Sequence, residues 1–151
     1  VVPDACEIQG TVRTFTLDVL DLIERRMREI ATHTAAAFGA TVQFDFHRNY
    51  PPTINHRAEA EFVRETMRAV AGDARTHEFE PTMGAEDFSF FLQAKAGAYF
   101  VIGNGDGDHR AHGHGLGPCN LHNPNYDFND GLIPQGAALW VALARRWLAQ
   151  D

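Results

Sequence analysis

The chain has little cysteine, no long apolar run and no excess of basic residues. Two cysteines, Cys6 and Cys119, are too few for a disulfide framework, so a reducing cytoplasm is the expected compartment. No apolar stretch approaches the roughly 20 residues that a membrane-spanning helix needs. The formal net charge is -7 and no basic stripe is present. Nucleic acid and anionic membranes are therefore not expected as partners.

A starting methionine is also absent, and Val1 leads almost at once into an alternating pattern. Chain termini usually carry a less ordered lead, so we expect these residues to be part of a longer protein. The 151 residues, 44% of them hydrophobic, suffice for one domain of ordinary size with a core.

The first third of the chain predicts a β-α-β unit. Residues 6–14 and 42–46 alternate between apolar or small and polar side chains, as half-buried strands do. Apolar residues between them recur every three or four positions, which predicts an amphipathic helix capped by Thr14 or Thr16 and ended by Gly39. Two strands and one helix are marginal alone, so further strands are expected to complete this unit.

The remaining chain alternates predicted helices with apolar strands, which favours a layered α/β domain. In order, the elements are a helix capped by Asn55 and ended by Gly72, a strand over 77–80, a short helix to Ala94, a buried strand over 98–102 and a helix from about Leu132. Pro134 suits the first turn of that last helix. Its expected buried residues are Ala137, Trp140, Val141, Ala144 and Leu148.

A glycine- and histidine-rich loop over 102–130 follows the predicted buried strand. Ligands collect at the carboxyl ends of such strands, and a loop this long is usually functional. Imidazole is a common metal ligand, and four histidines occur here: His109, His112, His114 and His122. The first three form either a metal-binding cluster or a solvated loop, and the surrounding glycines and aspartates favour the loop.

His122 either ligates a metal or caps a turn. One histidine alone holds no metal, so the first interpretation requires further ligands. Asp127 and Asp130 follow it closely enough to fix its tautomer. Cys119 nearby suggests a Cys/His nucleophile pair only weakly, because no third orienting group is evident.

Two further candidates concern a substrate carboxylate. The turn over Met83–Phe88, with Gly84, Ala85 and Glu86, either starts a helix or lines a pocket with its N–H groups. Arg13 on the polar face of the first strand is either a carboxylate clamp or an ordinary surface charge.

Three segments together resemble a known family. They are Val2-Pro3-Asp4 leading to Gly10-Thr11-Val12-Arg13-Thr14, Pro81-Thr82-Met83-Gly84-Ala85-Glu86-Asp87-Phe88, and Leu121-His122-Asn123-Pro124 with Tyr126-Asp127-Phe128-Asn129-Asp130. In this order they resemble the C-terminal part of the hippurate hydrolase and N-acyl-amino-acid amidohydrolase subfamily of dinuclear-metal peptidases, which are aminoacylase and carboxypeptidase G-like. The resemblance covers essentially the whole chain but only about the last two-fifths of a family member.

The resemblance implies an α/β fold in two parts. Residues 1–49 would be the second half of a ferredoxin-like lid, a β-α-β unit through which family members commonly form homodimers. Residues 53–151 would be the C-terminal part of an αβα-layered catalytic domain. Gly131 departs from the acidic residue common at that position, and the Gly105–Gly117 insertion is specific to a branch.

The resemblance also implies the site. His122 matches the last ligand of a pair of divalent metal ions (zinc, manganese, nickel or cobalt), and the Met83–Phe88 turn matches a segment lining the cleft. The other metal ligands and the glutamate general base precede these residues in the family, so no catalytic residue is assigned here.

Three hypotheses follow. The first is a part of a metal-dependent amidohydrolase acting on N-acyl amino acids such as hippurate, inactive alone and binding no metal stably. The second is a non-catalytic module that self-associates through the edge of its β-α-β unit. The third is a small single-metal protein using His109, His112, His114 and His122.

Overall fold

The computed structural model describes residues 1–105, 121–124 and 126–150. Its helices are α1 (Leu17–Ala37), α2 (Arg57–Ala71), α3 (Phe88–Ala94) and α4 (Ile133–Leu148), with short 3-10 turns at Asp73–Arg75 and Asp130–Leu132. None of the helices in this part of the chain is long and apolar enough to cross a membrane.

The helix boundaries largely follow the predicted caps. Thr16 Oγ1 accepts a hydrogen bond from the N–H of Val19 at 3.3 Å and so caps α1. Gly39 and Gly72 follow α1 and α2 with φ values of 69° and 86°, the left-handed region that glycine enters without strain. The expected cap at Asn55 is corrected by one residue, because His56 is the N-cap of α2 and makes no side-chain capping bond.

The predicted strands are not formed. No residue in the described ranges lies in a β-strand, including the segments 6–14, 42–46, 77–80 and 98–102. Alternation of side chains shows which face of a segment suits burial, whereas a strand also requires a neighbour that accepts and donates its backbone hydrogen bonds. No backbone hydrogen bond joins 6–14 to 42–46. The β-α-β unit is therefore not confirmed.

The chain divides into two compact units. Unit 1 comprises Val1–Asn55 and Glu80–Gly97, and unit 2 comprises His56–Phe79 and Ala98–Asp151. The predicted division into residues 1–49 and 53–151 concerns the domains of a larger family fold, and it stays a prediction.

Unit 2 is built on the packing of α4 against α2. Leu139 and Leu143 of α4 are 6% and 8% exposed, and Thr66 of α2 is 2% exposed. Arg146 ties the two helices: its Nη1 donates to Thr66 Oγ1 at 3.1 Å, and its guanidinium lies 5.4 Å from the centre of the Phe62 ring. The helix pair is thus fixed by apolar burial and by one polar bridge.

The buried face of α4 differs from the predicted one. Among the residues expected to be buried, Trp140, Val141 and Leu148 are 64%, 53% and 77% exposed, although the Trp140 ring lies 5.4 Å from that of Phe100. Apolar residues lie all around this helix, so spacing alone does not select the face that packs.

In unit 1, the side chains of α1 are hardly buried. No residue of α1 is buried, and Ile30 and the following Phe38 are 57% and 85% exposed. Arg48 links the helix to the segment after it, with its Nη1 2.6 Å from Asp21 Oδ1 and its Nε 2.9 Å from Glu24 Oε2. Glu24 and then Asp21 raise the pKa of the Arg48 guanidinium. Polar contacts therefore hold this segment.

Candidate functional site

The His122 turn is the local structure that the sequence singled out most strongly. His122 is the one non-glycine residue with a positive φ among the residues the structure describes, at 70°. Its side chain is exposed, and no hydrogen bond joins it to another described residue. Left-handed backbone at a residue with a Cβ is uncommon and collects at functional sites. The turn therefore presents an exposed imidazole that is not hydrogen-bonded within the described part of the chain.

A second turn follows directly. The N–H of Tyr126 donates to the carbonyl of Asn123 at 2.9 Å, with Pro124 between them. The Tyr126 and Phe128 rings then meet edge to face, their centroids 4.9 Å apart. Pro124 restricts the residue before it to extended backbone and presets the turn. A hydrogen bond thus joins Asn123 and Tyr126 directly after His122.

Two asparagines close the base of the loop that carries His122. Asn104 Nδ2 donates to the carbonyl of Asp127 at 2.8 Å, and Asn104 Oδ1 accepts from the N–H of Asn129 at 2.9 Å. In return, Asn129 Nδ2 donates to the carbonyl of Asn104 at 3.2 Å. Asn129 Oδ1 also accepts from the N–H of Gly131 at 3.1 Å, at the start of the 3-10 turn leading into α4. We call this pair the Asn104–Asn129 clamp.

Sequence reasoning missed the clamp. The signal was modest: an asparagine two residues after the apolar run, and a second asparagine before Asp130-Gly131, where side-chain capping is common. Nothing in the spacing links residues that are 25 positions apart.

The two expected partners of His122 are not bonded to it. Asp127 contributes its backbone carbonyl to the clamp, while neither its carboxylate nor that of Asp130 bonds His122 in the structure. Both aspartates are exposed. The expectation that they fix the histidine tautomer is thus not met in this structure.

The donor set for a metal is incomplete. Within residues 1–105, 121–124 and 126–150, no three or more His, Cys, Asp or Glu side chains converge closely enough to hold a metal ion. His122 fits the role of one ligand, because its imidazole is exposed and unengaged. A protein zinc site takes three or four protein ligands, so further donors must come from elsewhere.

The Met83–Phe88 turn uses several of its polar groups internally. The carbonyl of Glu86 accepts from Ser89 Oγ at 2.7 Å and from the Ser89 N–H at 3.3 Å, and Ser89 is only 1% exposed. Asp87 precedes α3 without a side-chain capping bond. The roles predicted for Gly84, Ala85 and Glu86 stay predictions.

Arg13 is exposed and engages only the neighbouring backbone, with Nη1 donating to the carbonyl of Val12 at 3.1 Å. Its guanidinium has no carboxylate partner in the described part of the chain, so its proposed role as a carboxylate clamp stays open. Arg13 and the Met83–Phe88 turn belong to unit 1, whereas His122 belongs to unit 2.

The other loop candidates, His109, His112, His114 and Cys119, lie outside the described residues, as does most of the Gly105–Gly117 insertion. The single-metal hypothesis, which needs three of these histidines to converge, depends on them and stays a prediction.

Comparison with known proteins adds the family context. Residues 4–146 match the family model of peptidase family M20/M25/M40. An IAA-amino acid hydrolase of Arabidopsis thaliana is 30% identical over 99% of this chain and 34% of its own length. N-acetyl-L-cysteine deacetylase of Bacillus subtilis is 31% identical over 98% of the chain and 32% of its own length. A thermostable carboxypeptidase of Saccharolobus solfataricus is 36% identical over 68% of the chain and 26% of its own length.

The chain thus spans about a third of the length of the curated relatives it matches. No solved structure matches it significantly.

Proposed function

The chain belongs to peptidase family M20/M25/M40, and we propose that it forms part of a metal-dependent amidohydrolase that cleaves the amide bond of N-acyl amino acids. The family's catalytic fold is α/β, and its members generally depend on two metal ions. The names of two relatives carry the substrate proposal, since one is a hydrolase of IAA-amino acid conjugates and the other removes an acetyl group from an N-acetyl amino acid. Hippurate is an N-acyl amino acid of the same class.

In this proposal His122 is one ligand of a pair of divalent ions, of zinc, manganese, nickel or cobalt. Bound metals of this kind polarise a carbonyl and make water nucleophilic near neutral pH. The exposed imidazole on left-handed backbone is the observation that supports His122 in this role. Arg13 would receive the free carboxylate of the substrate through charge-assisted hydrogen bonds. The Gly84, Ala85 and Glu86 turn would line the cleft, and the general base would come from outside these residues.

We further propose that the 151-residue chain alone is inactive and holds no metal stably. Its described residues complete no metal site, and apolar side chains of α1 and α4 that could cover a larger core are exposed. Residues 1–49 would be the second half of a β-α-β lid, whose strands form only when a neighbouring strand pairs with them. Residues 53–151 would be the C-terminal part of the catalytic domain.

A chimera tests this function. The first two thirds of the Bacillus subtilis N-acetyl-L-cysteine deacetylase are joined ahead of this chain, and hydrolysis of N-acetyl-L-cysteine and hippurate is measured with added zinc, manganese, nickel or cobalt. We expect the chimera to hydrolyse at least one substrate and the isolated chain to hydrolyse neither. His122→Ala should lower kcat/KM by at least about 100-fold. Losing a residue that only hydrogen-bonds to a metal ligand can cost about that much, and losing the ligand itself should cost no less.

His33→Ala is the matched control, because His33 is an exposed histidine of α1 and is expected to leave the rate unchanged. An active chimera that tolerates His122→Ala would remove the metal role. Hydrolysis by the purified 151-residue chain would overturn its proposed inactivity.

Self-association is the second candidate, as a non-catalytic module or as the homodimer of a family lid. No strand edge is present among the residues described, so the edge of the β-α-β unit cannot support self-association. The apolar side of α1 supports it instead, because Ile30 and Phe38, at the end of the helix, are exposed. Sedimentation velocity over a hundredfold range of concentration decides the matter. A dimer weakened by Ile30→Asp but not by Thr32→Asp, an exposed position on the opposite side of the same helix, would support it, and a monomer at every concentration would exclude it.

A further inference from the structure

Each carboxamide of the Asn104–Asn129 clamp both donates and accepts a hydrogen bond. Asn104 donates through Nδ2 to Asp127 and accepts through Oδ1 from Asn129. Asn129 donates through Nδ2 to Asn104 and accepts through Oδ1 from Gly131. An aspartate at either position would set a carboxylate oxygen against a carbonyl oxygen, because a carboxylate accepts hydrogen bonds and donates none.

The surroundings of the clamp are shaped to it. Both asparagines are half-buried. Gly105 has a φ of 73°, and a Cβ added there would lie 3.5 Å from Asn129 Nδ2. A side chain at this position would be strained by the backbone, while its Cβ would make only an ordinary contact with the clamp. Glycine therefore allows the chain to leave Asn104 in the direction that the clamp requires.

The first clamped carbonyl, that of Asp127, lies only five positions after His122. Between them, the hydrogen bond from Tyr126 to Asn123 closes a turn at 2.9 Å. His122 thus directly precedes a hydrogen-bonded turn, and the backbone runs from Tyr126 of that turn straight into Asp127, whose carbonyl the clamp holds. Left-handed backbone at a non-glycine residue persists only where the surrounding structure holds it.

We propose that Asn104 and Asn129 are positioning residues that hold the His122 turn in its left-handed conformation and so aim its imidazole. They act through the backbone carbonyl of Asp127 and the Asn123–Tyr126 turn, without touching metal or substrate. The inference deepens the role proposed for His122 and rests on it for its catalytic meaning. The conformational part stands on the contacts of this chain alone.

Nuclear magnetic resonance on the intact 151-residue chain tests the conformational part. A positive φ brings the amide proton of a residue close to its own Hα, so the wild-type chain should give a strong NOE between these protons of His122. Asn104→Asp and Asn129→Asp each replace one clamp donor by an acceptor of the same size, and both should weaken that NOE. Asn49→Asp, an equal change at an exposed asparagine, should leave it at wild-type strength.

Asn129→Ser separates positioning from the start of α4. Serine keeps an oxygen for the N–H of Gly131, as a good helix cap does, but lacks the amide that donates to Asn104. We expect α4 to remain helical while the His122 NOE weakens. This variant decides the case if the aspartate variants lose their helical circular dichroism. A His122 NOE of wild-type strength in Asn129→Ser, or in a folded Asn104→Asp, overturns the proposal.

The chimera assay then tests the catalytic consequence. Asn104→Asp and Asn129→Ser should lower kcat/KM by about 10- to 100-fold, the usual effect of removing a group that orients a ligand. The NOE needs neither metal nor substrate. A failure of the metal role, seen as activity that survives His122→Ala, is thereby distinguished from a failure of the clamp, seen as an unchanged NOE.

Discussion

Helices α1 and α4 both carry apolar residues at helical spacing, yet among the described residues only α4 packs on another helix. In unit 2, α4 packs on α2 and buries Leu139 and Leu143. In unit 1, no residue of α1 is buried. Helix α1 is held instead by polar contacts, among them the Thr16 cap, the ion pair between Arg26 and Glu29 at 2.7 Å and the ion pairs of Arg48 with Asp21 and Glu24.

The difference shows that amphipathic spacing predicts which face of a helix can be buried. Whether that face is buried depends on another element that packs against it. Most helix stability in proteins comes from packing of the apolar face, and propensity alone leaves a helix marginal. The two helices should consequently respond to different kinds of substitution, α4 to lost volume and α1 to lost capping.

The largest effect is expected at the centre of the α2–α4 contact. Leu143→Ala should lower the free energy of unfolding of unit 2 by about 2–3 kcal/mol, because it removes buried methyl groups and leaves a cavity. Thermal unfolding followed by tryptophan fluorescence measures this cleanly, since both tryptophans of the chain lie in α4. Leu148→Ala is the matched control at a 77% exposed leucine and should cost under about 0.5 kcal/mol. Equal losses in the two variants would mean that α4 buries its other face in solution.

A smaller effect is expected at the polar bridge between these helices. Arg146→Met keeps the apolar stem but removes the hydrogen bond to Thr66, the ion pair with Glu65 and the guanidinium over Phe62. We expect a loss of about 1 kcal/mol, since the ion pair is largely exposed and the bond to buried Thr66 is the main term.

Arg145→Met serves as the control for Arg146, because the neighbouring arginine is exposed and makes no hydrogen bond or ion pair with α2 among the described residues. Urea unfolding of both variants checks the difference. Equal midpoints would show that position in the last turn of α4 matters more than the bridge.

The smallest effect is expected at the cap of α1. Thr16→Ala removes the acceptor for the N–H of Val19 and should cost the helix about 0.5–1 kcal/mol. The loss should appear as a weaker helical circular dichroism signal at about 222 nm. The midpoint of the fluorescence-detected unfolding of unit 2 should not shift. Thr34→Ala, an exposed position inside the same helix, should keep or raise helicity because alanine is the better helix former. A fluorescence shift in Thr16→Ala would show that the two units unfold together.

Local signals predicted the helices well. Thr16, Gly39, Gly72 and Pro134 mark helix ends in the structure as capping rules predict. The predicted strands are not formed in the described residues. A strand needs a neighbouring strand to hydrogen-bond with, and the alternation of residues does not show whether one is present. The packed side of α4 was also predicted wrongly, since the arrangement of α2 selects it.

The candidate site divides in the same way. Motif order identified His122 and led to a family that the comparisons show. The clamp, by contrast, pairs Asn104 with Asn129 across 25 positions, and no local rule predicts such a pair.

The sequence by itself determined the family and most helix ends, and it singled out His122 as the predicted metal ligand, because motifs and caps depend on residues close together in the chain. Only the tertiary structure decided which face of α4 is buried, that Arg146 bridges to Thr66, and that two asparagines close the loop behind His122. These features depend on which groups meet across space. A side chain with several possible partners is assigned one of them only when the backbone brings that partner within about 3 Å.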